Sequence, residues 1–179
     1  MADDFAEFVS HLSDNARTSL QHADLLARSH KTAYIGTEHL LIGVLAQKSS
    51  VGAKLLADVG VTLDRAELAL NMTPRTIAVG SEAKGLSETA KLTLKMSWDV
   101  AQEFHQDYLG TEHILYSIVS QKNARATLLL RDMKVNTVNL LADLEQFLNR
   151  KRPQYQIIEI DNSQRANKNT KHGNALDIF

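Results

Sequence analysis

The 179-residue chain contains no cysteine, which removes disulfides, thiolate zinc sites and cysteine nucleophiles together. It also has no apolar run approaching the ~18 residues expected of a membrane span. The N-terminal stretch "MADDFAEFVSHL" is acidic and lacks the basic start and apolar run of a signal peptide. Charge of one sign is missing too. The formal net charge is −1, which gives no electrostatic footing for nucleic acid or an anionic membrane. A cytoplasmic protein with neither of those partners is the expectation.

Motif chemistry is equally sparse. "GSEAKGLS", from Gly80 to Ser87, almost spells a phosphate loop. It has Leu86 where that loop needs its phosphate-reaching lysine, and no apolar strand precedes it. None of the seven histidines lies in an H-E-x-x-H or comparable pattern, and there is no Gly-x-Ser-x-Gly elbow. The chain is therefore expected to hold no metal and no cofactor, to supply no catalytic residue, and to hydrolyse no nucleotide.

What is present is a repeat. "YIGTEHL", Tyr34 to Leu40, returns as "YLGTEHI", Tyr108 to Ile114, at an offset of 74 (108 − 34). The same ungapped offset lays Leu12-Ser13 on Leu86-Ser87, Ala16 on Ala90, Leu20 on Leu94 and Ala27 on Ala101. It continues with Gln47-Lys48 on Gln121-Lys122, Leu55-Leu56 on Leu129-Leu130 and Val61 on Val135. A chance match of one pentapeptide would not carry its flanks along.

Each copy reads as four helices. Ser13 caps a segment with Ala16, Leu20, Ala23 and Ala27 at helical spacing, and Thr37 caps a second carrying Leu40, Leu41, Val44 and Leu45. A third runs from Val51 to Val59 with Gly60 as its C′ residue, and a fourth from Leu63 to Asn71. The second copy repeats these at Ser87–Phe104, Thr111–Lys122, Ala124–Met133 and Thr137–Asn149. The expected fold is all-α: two tandem four-helix repeats related by a pseudo-twofold that buries their shared apolar faces, with Met96, Trp98 and Phe104 as core filling. In domain terms, residues 1–12 form an extension, 13–72 the first repeat, 73–85 a linker, 86–149 the second repeat and 150–179 a polar tail. That tail carries six basic against three acidic residues and reads as a flexible linker toward a further module.

Gly-Thr-Glu-His has two readings. In the first it is a helix start: Gly36 and Gly110 permit a tight turn, Thr37 and Thr111 cap, Glu38 and Glu112 complement the helix dipole, and His39 and His113 bond to backbone, partly buried. In the second, each carboxylate grips a guanidinium beside the free N–H groups of a helix starting at Ser13 or Ser87. That pairing suits a ligand carrying both charges, such as a phosphorylated guanidinium.

The doubled Leu-Ser-x-x-Ala … Tyr-[Ile/Leu]-Gly-Thr-Glu-His-[Leu/Ile]-Leu pattern resembles the N-terminal repeat domain of Clp AAA+ unfoldases, nearest the ClpC type, from about Ser13 to Leu148. "NALDIF" at the end resembles the stretch leading into that family's first ATPase module. The resemblance implies an eight-helix domain that captures substrate and adaptor proteins for an ATPase ring and its partner Clp peptidase. It further implies phosphoarginine recognition, with Glu38 and Glu112 on the guanidinium and residues near Ser13 and Ser87 on the phosphate. Where the family often has a threonine cap followed two positions on by a basic residue, this chain has Ser13 with Asn15 and Ser87 with Thr89. Arg17 and Lys91, one turn further, are the candidates to supply the missing positive charge. A free-standing adaptor or regulator with the same fold is the alternative.

Overall fold

The computed structural model describes residues 7–74 and 85–151. A helical turn over residues 7–10 precedes eight helices. The first repeat holds α1 (Asp14–Ser29), α2 (Thr37–Ala46), α3 (Val51–Asp58) and α4 (Leu63–Asn71); the second holds α5 (Glu88–Glu103), α6 (Thr111–Ser120), α7 (Arg125–Asp132) and α8 (Thr137–Arg150). The four helix starts of the second repeat lie at the sequence offset of 74 from those of the first, and the first three helices also end in register. Only α8 departs, running to Arg150 where the same offset would end it at position 145. Most of the expected linker and all of the tail after residue 151 lie outside the described residues.

Local chemistry explains the helix starts. Ser13 and Ser87 cap α1 and α5 by accepting from the N–H groups of Ala16 and Ala90, each at 3.1 Å, and Ser50, Thr62 and Asn136 do the same for α3, α4 and α8. Gly60 takes a left-handed φ of 82° after α3, as a C′ residue does. The helix-3 span of the second copy is slightly shorter than read from sequence. It begins at Arg125, because Ala124 is extended and stands as the N-cap.

α2 and α6 are the centre. Thr37 through Leu45 are all buried, as are most of the residues from Thr111 to Val119, so these helices have no solvent face. Leu40, Leu41, Ile42, Ile114, Leu115 and Ile118 are almost wholly enclosed, each contributing roughly 1.5–3 kcal/mol relative to exposure. Phe104 is core, whereas Trp98 lies at its margin, stacked on the His11 ring at 4.2 Å.

The repeats are joined reciprocally. α2 packs on α7 and α3 on α6, each helix meeting the repeat-mate of the other's partner. There is no strand among the described residues, but two isolated parallel bridges, Leu12 with Leu109 and Ile35 with Leu86, tie the segment before α1 to that before α6, and the segment before α2 to that before α5. The hydrogen bonds match pair for pair: Ser13 N–H to Leu109 O (2.9 Å) with Leu109 N–H to His11 O (2.7 Å), and Ser87 N–H to Ile35 O (2.9 Å) with Ile35 N–H to Gly85 O (2.8 Å). This reciprocity is the pseudo-twofold.

Candidate functional site

Those bridges decide what the Gly-Thr-Glu-His segments face. The bridge at Ile35 places the start of α2 beside the start of α5, so Glu38 of one repeat meets Ser87 of the other. The bridge at Leu109 places Glu112 beside Ser13 in the same way. Each candidate site is built from both repeats.

Within the motif the roles differ from those expected. The N-caps are Gly36 and Gly110, not the threonines, and their φ values of −96° and −103° suit any residue. No tight turn requires these glycines. Their side of the backbone is filled instead: the Glu38 and Glu112 carboxylates fold back over them, into the space that a Cβ would take. Thr37 and Thr111 turn away from their own helices. The Thr37 hydroxyl accepts from Ala126 N–H at 3.1 Å, and the Thr111 hydroxyl from Gly52 N–H at 2.9 Å. Each threonine thus caps the third helix of the other repeat.

The histidines complete the caps. Nδ1 of His39 accepts from Gly36 N–H at 2.8 Å, and Nδ1 of His113 from Gly110 N–H at 2.9 Å, as the third residue of a capping box does. A ring nitrogen that accepts carries no proton, so Nδ1 is the unprotonated nitrogen of both rings. The 3.6 Å approach of Glu38 Oε1 to His39 Nδ1 is therefore no ion pair. Both rings are buried rather than half-buried, and burial lowers the His113 pKa to about 4.

Glu38 opens into a cleft of about 500 Å³. Its walls come from Thr32–Tyr34, the start of α2, Leu70 with Thr73 and Pro74 after α4, Ser87 and Thr89 at the start of α5, and Asn123–Arg125 at the start of α7. The carboxylate is itself buried, only 6% exposed. Burial raises its pKa, and the Arg125 guanidinium, 3.6 Å from Oε2 and more than half exposed, opposes that rise. Among the described residues, Glu38 and Arg125 are the charged members of the lining. A buried carboxylate, an exposed guanidinium and the starts of two helices can together take up a small polar group bearing charge of both signs.

The repeat-related position is furnished differently. Glu112 is as buried as Glu38, and burial raises its pKa, opposed by its own backbone and by Lys151. The residue at the offset from Arg125 is Val51, and those at the offset from Thr73 and Pro74 are Phe147 and Leu148. Leu148, in the extra turns of α8, is buried with Val100 and Phe104. Gln106 fastens that end by donating to Lys151 O at 2.8 Å.

Of the residues singled out from sequence, Glu38, Thr37 and Ser87 come together in the cleft, and Glu112, Thr111 and Ser13 occupy the equivalent positions around Gly110. Arg17 and Lys91 are not in the cleft lining. Both are exposed, and Lys91 pairs with Glu88 one turn back, at 3.3 Å. Sequence reasoning missed Arg125, the guanidinium that stands beside Glu38. The signal was present in the offset, where Arg125 stands against Val51. Among the described residues no group of three or more His, Asp or Glu side chains is placed to hold a metal ion, and no single helix is long and apolar enough to cross a membrane.

An eight-helix duplication with two composite motif sites defines a class, and the chain belongs to it: the Clp repeat (R) N-terminal domain family matches residues 11–85 and again 85–175. Among curated relatives, it is 28% identical over 140 residues to the ATP-dependent Clp protease ATP-binding subunit ClpC of Staphylococcus epidermidis, and 27% to ClpC of Staphylococcus aureus strain USA300. Each alignment covers 76% of this chain but only 17% of the relative. Among solved structures, the fold is similar to the N-terminal domain of the chaperone ClpD from Arabidopsis thaliana, with a TM-score of 0.65, 20% identity, and coverage of 78% of this chain and 98% of that one. It is likewise similar to a ClpV N-domain in complex with a VipB peptide, with a TM-score of 0.64, 19% identity, and coverage of 80% and 90%.

Proposed function

We propose that this chain is the substrate- and adaptor-recognition domain of a ClpC-type, ATP-dependent unfoldase, and that its motif sites read phosphoarginine on marked proteins. The observation that carries this reading is the cleft in which the buried Glu38 carboxylate, from one repeat, faces the capped start of α5, from the other. A buried carboxylate matches the planar fork of a guanidinium bidentately, and a helix start beside it favours an attached phosphate. The peptide held by the ClpV N-domain supports a protein ligand. The module binds and does not catalyse. In this reading its ATPase module belongs to a longer, cytoplasmic protein that partners a Clp peptidase, in keeping with the small share of the ClpC relatives that the chain spans.

Calorimetric titration with phosphoarginine, with arginine and phosphoserine as controls, tests the reading. Binding by phosphoarginine alone, abolished in the Glu38→Ala/Glu112→Ala double variant with helical content unchanged by circular dichroism, is the expected outcome. Equal affinity of wild type and double variant would leave the glutamates as structural residues.

A further inference from the structure

The two motif sites share an ancestor but not a set of charges. At the first, the described residues of the cleft lining include one acid and one base, Glu38 and Arg125, 3.6 Å apart. At the second, the position of Arg125 is Val51. The positions of Thr73 and Pro74 are taken by Phe147 and the buried Leu148, and Lys151, the cation that acts on Glu112, has its Nζ over the Phe147 ring at 5.7 Å.

We infer that Arg125 makes the two sites unequal: it gives the Glu38 cleft the stronger hold on a group carrying a cation and an anion side by side, taking the anion while Glu38 takes the cation. This rests on the phosphoarginine reading above and names the residue that determines it. In the cleft the two side chains face one another as an ion pair, Arg125 Nη1 to Glu38 Oε2. A ligand with a single charge can satisfy only one of them and must leave the other without its partner, at a cost. A phosphorylated guanidinium satisfies both. Its planar cation replaces Arg125 at the carboxylate, and the released Arg125 turns to the phosphate, where its fork is equally matched. The movement is open to Arg125 because its side chain is 58% exposed and sits at the first position of α7, at the rim of the cleft. Without Arg125 the phosphate would lie beside Glu38 with no opposing charge from the described residues of the lining. α8 continues beyond the end of its repeat-mate, with Phe147 and the buried Leu148 at the positions that correspond to Thr73 and Pro74.

The test is calorimetric titration of the full 179-residue chain with free phosphoarginine, and separately with arginine and with inorganic phosphate. Wild type should bind phosphoarginine unequally, with one tighter site per chain that is lost in Glu38→Ala and kept in Glu112→Ala. Arg125→Val should weaken that binding roughly tenfold or more, the range for a lost hydrogen bond between charged groups, and Arg125→Lys should restore part of it. Arg125→Gln, which keeps the length and the polarity without the charge, should behave as Arg125→Val and stands in if that variant melts early. Two equal phosphoarginine sites, or Arg125 variants binding as wild type or tighter, would overturn the role of Arg125 and leave the phosphoarginine reading standing. No binding of phosphoarginine by wild type would overturn that reading and this inference with it.

Discussion

At the scale of single residues, His113 carries the clearest pH consequence. Its Nδ1 must stay unprotonated to accept from Gly110 N–H, and burial holds its pKa near 4 against an ordinary 6.5. A group whose folded pKa is depressed contributes stability that is whole above its unfolded value and lost as pH falls toward the folded one. The window is therefore pH 6.5 down to about 4, and the loss across it is on the order of 3 kcal/mol. Glu38 and Glu112 run the other way: their raised pKa values mean that protonation on acidification favours the fold. His113→Asn separates the two, since an amide oxygen can accept the same bond without titrating. Urea unfolding across this range should show a flatter acid limb for the variant, at the expense of a lower midpoint at neutral pH from lost packing; an unchanged limb would remove His113 as its cause.

At the scale of the helix, the notable device is the exchanged cap. Thr37 and Thr111 each satisfy an N–H at the start of a helix in the opposite repeat. Thr37→Val and Thr111→Val should each cost about 1–2 kcal/mol, a lost cap that leaves a buried donor unmet. Thr→Ser at the same positions should cost less. Chemical denaturation reads both, and a Val variant as stable as wild type would show these bonds to be idle. The same residues mark what sequence could reveal. The Ser13 and Ser87 caps, the helix spans and the duplication were legible because their causes lie within a few residues or at a constant offset. The threonines looked like caps for their own helices because the true donors, Ala126 and Gly52, are far away in the chain. Arg17 and Lys91 lie one turn from the caps in sequence, yet both are exposed. Arg125 opens an ordinary amphipathic helix, and only the fold brings that helix to Glu38.

For the molecule as a whole, the reciprocal bridges and caps mean that neither repeat completes its own structure. Trp98 of the second repeat stacks on His11, which lies ahead of the first, and so reports on the union of both. Fluorescence of Trp98 and far-ultraviolet circular dichroism should trace one coincident unfolding transition, and the first repeat expressed alone, residues 7–74, should lack cooperative folding. Two separated transitions would show the halves to be independent domains.

The exchange of caps also says something about descent. A single ancestral repeat could have made these contacts only as an isologous homodimer, in which every substitution appears at both sites at once. Joining the copies in one chain ended that constraint. The two copies could then differ, as they do with Arg125 at one position and Val51 at its counterpart, and with terminal helices of unequal length. Fusion let a symmetric scaffold keep its architecture while the side chains around its two motifs diverged.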